Sequence, residues 1–346
     1  MKNLLTTIIL FTSLILNSQN IFEYEREINN PENYIQKEFE VNNPKENINL
    51  YGTLITPKNE FDKIIIIVPG SGKDTRYSHY KLAEKFLKNN IAVFRYDERG
   101  SGKSEGKNSW FNYGIEELKS DLVLFIKALK NNDELSQKKF GLLGHSFGGM
   151  ATIGVVQNGI EVDFLIQWAT PTEKYGESMK YQLESGLFDF NSTLKFDEKH
   201  KKLEIMDVVS KVVENNITDD DKALRKKLDK ETKKHGYKRK NWVRFKYYTG
   251  GPTLDLIRQN YELTYKKITI PVFYIIGSED RFVSPKNNVD LLNSFKNPKI
   301  ETKIFEGLNH YLTIGEIEPI KTRKKPILYD IDNEALEEII EWTLSK

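Results

Sequence analysis

Residues 141 to 150 read GLLGHSFGGM, and within them Gly144-His145-Ser146-Phe147-Gly148 fits G-x-S-x-G. A serine hydroxyl is a weak nucleophile at neutral pH unless a base takes its proton and a third group orients that base. Glycines two before and two after let the chain fold back sharply, so the Ser146 hydroxyl stands exposed on a strained turn between a strand and a helix. The local sequence supplies that order, KKFGLLGH reading as a buried strand and GGMATIGVVQN as a helix. The chain has five histidines to serve as base. His79 falls in an early helix, His145 inside the elbow, and His200 and His235 in Lys-rich helices. His310, in FEGLNHYL after the last strand, is the one in position. For the acid, GSEDRF follows the strand PVFYIIG in a loop at the C-terminal edge, where open α/β sheets place ligands. Asp280 is the candidate there, with Glu279 the alternative.

Two further glycine stretches, GSGKD at 70–74 and GSGKS at 100–104, raise the question of a phosphate loop. That loop requires G-x-x-x-x-G-K-[ST]. The first glycine falls on Ile67 in one case and Asp97 in the other, and Asp74 replaces the metal-binding hydroxyl in the first. Nucleotide binding is therefore set aside. VPGSG instead closes a buried strand where an oxyanion hole draws one backbone N–H, the other coming from the residue after the nucleophile. Ser71 and Phe147 are the expected donors. YDERGSGKSEG reads as a braced turn in which Asp97 and Arg99 are structural.

These loops need a scaffold to bring them together. YIQKEFEVN and INLYGTLITP alternate apolar and polar residues around NNPKEN, the pattern of an antiparallel strand pair. KIIIIVPG is a continuous β-branched run, as expected of a strand covered on both faces. Helix and strand then alternate through SHYKLAEKFLKNN, IAVFRYD, IEELKSDLVLFIKALK, KKFGLLGH, MATIGVVQN and DFLIQWA, which implies a parallel sheet. After Thr170 the rhythm breaks for a Lys-rich, helix-patterned segment, 171–266, that reads as an inserted helical cap. It then resumes with TIPVFYIIG, SPKNNVDLLNSF, KIETKIFEG and NEALEEIIEWTLS. The core is expected at 19–170 and 267–346.

A 346-residue chain with 38% hydrophobic residues can bury such a core. Its net charge of +2 comes from interspersed charges, so nucleic acid is not an expected partner, and YKRKNWVRFKYY at 237–248 reads as a solvated helix. The absence of cysteine removes thiol nucleophiles, disulfides and thiolate metal sites. Met1-Lys2-Asn3 followed by LLTTIILFTSLIL resembles a secretory signal peptide, 1–18, too short to span a bilayer. The expected location is secreted or periplasmic, with no stable membrane span after cleavage.

PGSG, YDERGSGKS, GHSFGG, GSEDRF and GLNH together resemble the α/β-hydrolase superfamily over residues 45–345, most closely its esterase and acylaminopeptidase-like branch. The order Ser146, Asp280, His310 agrees with that fold's nucleophile, acid, histidine order. PGSG departs from the common HGxG at the oxyanion strand. The resemblance implies an α/β fold with a mostly parallel sheet flanked by helices, a Ser-His-Asp triad, and neither cofactor nor metal. It also implies hydrolysis of acyl esters of small or medium size through an acyl-enzyme. Cleavage of short peptides is the alternative, and a non-catalytic binding protein a remoter one. Trp110, Trp168, Trp242, Tyr247 and Tyr248 are candidates for lining the substrate pocket, with a core position the competing reading.

Overall fold

The strand KIIIIV is buried at all six positions and lies near the middle of an eight-stranded sheet. The computed structural model describes residues 25–108, 112–187, 199–237, 252–315 and 330–346. The leader 1–18 and the aromatics Trp110, Trp242, Tyr247 and Tyr248 lie outside the described residues. The strands are β1 (Tyr34–Asn43), β2 (Ile48–Pro57), β3 (Lys63–Val68), β4 (Ala92–Tyr96), β5 (Lys139–His145), β6 (Phe164–Trp168), β7 (Val272–Gly277) and β8 (Ile300–Phe305). They are ordered β1-β2-β4-β3-β5-β6-β7-β8. β1 and β2 pair antiparallel, β2 joins β4 antiparallel, and every other pairing is parallel.

The helices of the parallel part are α1 (Tyr80–Lys88), α2 (Ile115–Lys130) and α3 (Phe147–Gln157). Five more, α4 (Glu177–Glu184), α5 (Lys199–Glu214), α6 (Asp221–Lys234), α7 (Pro252–Ile257) and α8 (Glu262–Lys267), separate β6 from β7. α9 (Pro285–Ser294) and α10 (Asn333–Leu344) close the fold. Helices α2 and α3 pack against each other, and α1 packs against α10. Helices α4 to α7 share a second core built around Met179, Ile205, Val213, Leu224 and Leu254. Tyr261 and Tyr265, at the start of and within α8, belong instead to the main core. Of the basic aromatic run 237–248, only Tyr237 is described, and it is buried.

Because the strand order reverses around β3, the C-terminal ends of β3 and β5 meet at a topological switch point, with Val68 opposite Gly144. Glycines make this approach possible. A Cβ on Gly148 would stand 2.2 Å from the Pro69 carbonyl oxygen and 2.3 Å from that of Val68, so α3 starts directly against the end of β3.

The turn after β4 is braced by charge. Asp97 is buried and accepts from Arg76 Nη2 at 2.7 Å, the Arg76 amide at 2.9 Å and the Lys103 amide at 2.8 Å. Gly102 lies so close that a Cβ there would be 2.3 Å from the Asp97 carboxyl carbon. The 100–104 glycine turn does hold an anion, but the anion is the chain's own Asp97. Arg99 next door donates to both Asp121 oxygens, at 2.8 and 2.7 Å, and to Glu46 at 2.6 Å. It ties the turn to α2 and to the loop after β1.

Both Arg99 and Asp121 are almost completely buried, so removing one partner strands the other charge. Arg99→Leu is expected to destabilise the protein by about 3–5 kcal/mol, measured by urea denaturation at pH 7.

Candidate active site

Ser146 sits between β5 and α3 with φ 54° and ψ −116°, a backbone conformation that L-residues rarely hold. The elbow is pinned on three sides. The Ser146 amide donates to the Trp168 carbonyl at 2.7 Å, tying it to β6. The Ser146 carbonyl accepts from the Gly149 and Met150 amides at 3.0 and 3.3 Å, which starts α3. Gly144 faces Gly149 so closely that a Cβ on Gly144 would lie 2.5 Å from the Gly149 Cα. Ser146 itself is half-buried, not sealed in the core.

Gly70 packs against the elbow, its Cβ position 3.6 Å from the Ser146 Cβ and 3.5 Å from the His145 carbonyl. The next residue, Ser71, is exposed. Phe147 is the first residue of α3, where a helix leaves its N–H groups without intrahelical acceptors. The two expected oxyanion donors thus lie on the two segments that meet beside Ser146.

Asp280 follows β7 and is buried, whereas Glu279 is exposed. Asp280 Oδ1 accepts from the Phe282 and Val283 amides at 2.7 and 2.9 Å, and Oδ2 lies 2.7 Å from His310 Nδ1. Those two amides fix the plane of the carboxyl group. Of the two acids considered for this loop, Asp280 is the one brought to a histidine. His310 follows β8 and is buried under Phe282, ring centroids 4.5 Å apart. Its loop crosses the end of β7 at Gly277, where a Cβ would meet the Leu308 carbonyl oxygen at 2.0 Å. From the cap, the Tyr181 hydroxyl donates to the Asp280 carbonyl at 2.8 Å and Arg281 Nη2 to the Ser185 carbonyl at 2.7 Å, so α4 is stitched to the acid loop.

Two histidines without a role in the sequence reading also converge here. His79, expected inside the first helix, caps α1 instead with φ 52°. Its Nε2 lies 3.2 Å from His145 Nδ1. No local pattern connects residues 66 positions apart, and their shared residue type was the only available signal. Trp168, a candidate for the pocket lining, is fully buried beneath the His310 loop. A half-open cavity of about 250 Å³ elsewhere, lined by Arg76, Arg95, Lys103, Glu27 and Glu38, contains none of Ser146, Asp280 or His310. Among the described residues no group of three or more His, Asp or Glu side chains is arranged to hold a metal ion. No helix among them is long and apolar enough to cross a membrane.

With this geometry in view, the comparisons with known proteins are informative. The family described as "Serine aminopeptidase, S33" matches residues 59–318. Caffeoylshikimate esterase from Arabidopsis thaliana is 24% identical over 254 residues, covering 71% of this chain and 70% of that protein. The chain superposes on an esterase from Pyrococcus furiosus with a TM-score of 0.54 at 19% identity, over 90% of this chain and 93% of the other. A proline iminopeptidase from Mycobacterium smegmatis gives 0.53 at 13% identity, over 89% and 98%. The structural likenesses show the shared fold.

Burial, and then the nearby Arg95, push His79 down to about 3. Burial, with His310 and His79 adding to it, holds His145 well below the usual imidazole range. Both are neutral in the folded protein, while the unfolded chain takes up protons below pH about 6.5. Their contribution is therefore complete above that pH and is lost as the pH falls. Each is expected to lower stability by about 1.4 kcal/mol per pH unit below 6.5. Urea titrations from pH 7.5 to 5 should show a shallower decline for His79→Gln than for wild type, by about one histidine's share.

Proposed function

Because the chain belongs to the serine aminopeptidase S33 family of α/β-hydrolase enzymes, we propose that it hydrolyses carboxylic esters with small or medium acyl groups. Ser146 is the nucleophile, His310 the general base and then acid, and Asp280 the carboxylate that orients it. The observation that carries this reading is the buried 2.7 Å contact between His310 Nδ1 and Asp280 Oδ2, together with a serine strained at φ 54° in the strand-to-helix turn. With Nδ1–H donated to Asp280, Nε2 is the His310 nitrogen left to take a proton, as a general base must.

In the first half-reaction His310 takes the Ser146 proton as Oγ attacks the ester carbonyl, and the oxygen of that carbonyl becomes an oxyanion. The Ser71 and Phe147 amides receive it. Collapse breaks the bond to the alkoxy oxygen, which leaves as alcohol with the proton from His310. Water then attacks the acyl-enzyme by the same route and releases the acid. No cofactor enters either step. The likeness to an enzyme named caffeoylshikimate esterase supports ester over amide substrates and adds aromatic acyl groups to those worth testing.

A peptidase acting on short peptides is the second reading, and one observation favours it. Glu173 and Glu177 lie half-buried before and in α4, and burial raises both, with Glu177 and Glu184 adding to it at Glu173 and Asp207 and Glu184 at Glu177. That acidic group could meet a substrate amine. The leader-like segment 1–18 supports a secreted or periplasmic location, which N-terminal sequencing of the protein recovered outside the cytoplasm tests directly.

Hydrolysis of a chain-length series of p-nitrophenyl acyl esters, with one hydroxycinnamoyl ester and one aminoacyl amide alongside, separates the two substrate classes. Wild type is expected to turn over the esters, with Ser146→Ala and His310→Ala each reduced by at least about 10⁴-fold. Turnover of the amide alone would favour the peptidase.

A further inference from the structure

The ring of His310 is oriented by Asp280, but its backbone is held by a separate device. Two donors converge on the His310 carbonyl, Trp168 Nε1–H at 3.1 Å and His145 Nε2 at 3.3 Å. A carbonyl oxygen only accepts, so His145 carries a proton on Nε2. Because burial keeps that ring neutral, its Nδ1 is bare and accepts from His79 Nε2–H at 3.2 Å. His79 Nδ1 is then the acceptor for the Ser78 hydroxyl, 3.1 Å away. The hydrogen bonds run one way, from Ser78 through His79 and His145 to the His310 backbone, and all four residues are buried. The rings are also packed, His145 stacked on Trp168 with centroids 4.4 Å apart, and His79 edge-on to them at 5.3 and 5.5 Å.

The two residues that grip His310 also hold Ser146. His145 is its covalent neighbour, and the Trp168 carbonyl accepts the Ser146 amide at 2.7 Å. We propose that His145, set by His79 and working beside Trp168, is a positioning residue that keeps the His310 backbone in register with the nucleophile elbow. This rests on the reading of Ser146, His310 and Asp280 as the reacting set. Asp280 fixes where the His310 ring points, and the paired donors fix where its loop sits. Without the His145 donor the segment around His310 can shift while Asp280 still holds Nδ1, which misplaces Nε2. A displacement on the scale of 1 Å costs about 10²-fold in rate.

The test compares His145→Phe, which keeps a ring on Trp168 but has no donor, with His145→Gln, whose amide can donate to the His310 carbonyl. Each is assayed on a p-nitrophenyl ester, with kcat referred to sites titrated by a fluorophosphonate and with Tm measured in parallel. His145→Phe is expected to lose about 10- to 100-fold in kcat with KM within about threefold, and His145→Gln to recover most of the loss. His79→Phe should show a loss of the same kind, and the double variant His79→Phe/His145→Phe should be no worse than His145→Phe alone, since His79 acts through His145. If His145→Phe does not fold, Trp168→Phe removes the other donor and should give the same kcat-only signature. Wild-type kcat per titrated site in the variants that lack a donor overturns the proposal. So does a loss that follows a lowered Tm and is equally large in His145→Gln. Failure of the underlying reading is separable, since Ser146→Ala would then retain hydrolysis.

Discussion

A serine backbone at φ 54° and ψ −116° stores on the order of 1–3 kcal/mol of strain and relaxes unless its surroundings prevent it. Much of the central architecture can be understood as that prevention. Strand β6 takes the Ser146 amide, helix α3 takes its carbonyl, and β3 closes over the turn through contacts that only glycine at 148 permits. The strain is tolerated because β3, β5 and β6 are locked in a parallel sheet whose residues at this level are buried on both faces. A turn held this firmly points the serine side chain the same way before and after substrate arrives, which is the condition for a preorganised site.

Charge is distributed by the same logic of fixed positions. Asp97 and Arg99, at the end of β4, are each answered by buried opposite charges, Arg76 and Asp121. These pairs brace the loop after β4. Asp280 is different in kind, because one of its oxygens is satisfied by backbone amides and the other is turned to a histidine. Around the elbow, the His145 ring lies between two of the chain's other histidines, its centroid 5.3 Å from that of His79 and 5.1 Å from that of His310. His79 and His145 are kept neutral by burial, so they neither repel one another nor compete with His310 for a proton.

Helices α4 to α7 are joined to this core at the loop after β7. Tyr181 and Ser185 reach Asp280 and Arg281 through backbone groups, so α4 is tied to the loop after β7. Their own core is separate from the main one.

Much of this was legible in the chain alone. Period-two alternation in 33–56, the β-branched run at 63–68 and the alternating amphipathic segments each depend on residues a few positions apart, and the observed strands and helices follow them closely. The elbow was equally local, since glycines at fixed offsets from Ser146 are what a sharp strand-to-helix turn requires. Which acid meets His310 was not local. Asp280 and Glu279 are adjacent in sequence, and the distinction arises because β7 and its following turn bury one and expose the other. Nor could spacing reveal that the 100–104 glycine turn encloses Asp97, or that His79 rests against His145. Those contacts form only when a parallel sheet brings the ends of distant strands side by side. Short-range periodicity and turn chemistry thus determined the elements and the sharp turn at Ser146, while the meeting of side chains across the sheet belonged to the tertiary structure, because burial and close approach are properties of the packed chain.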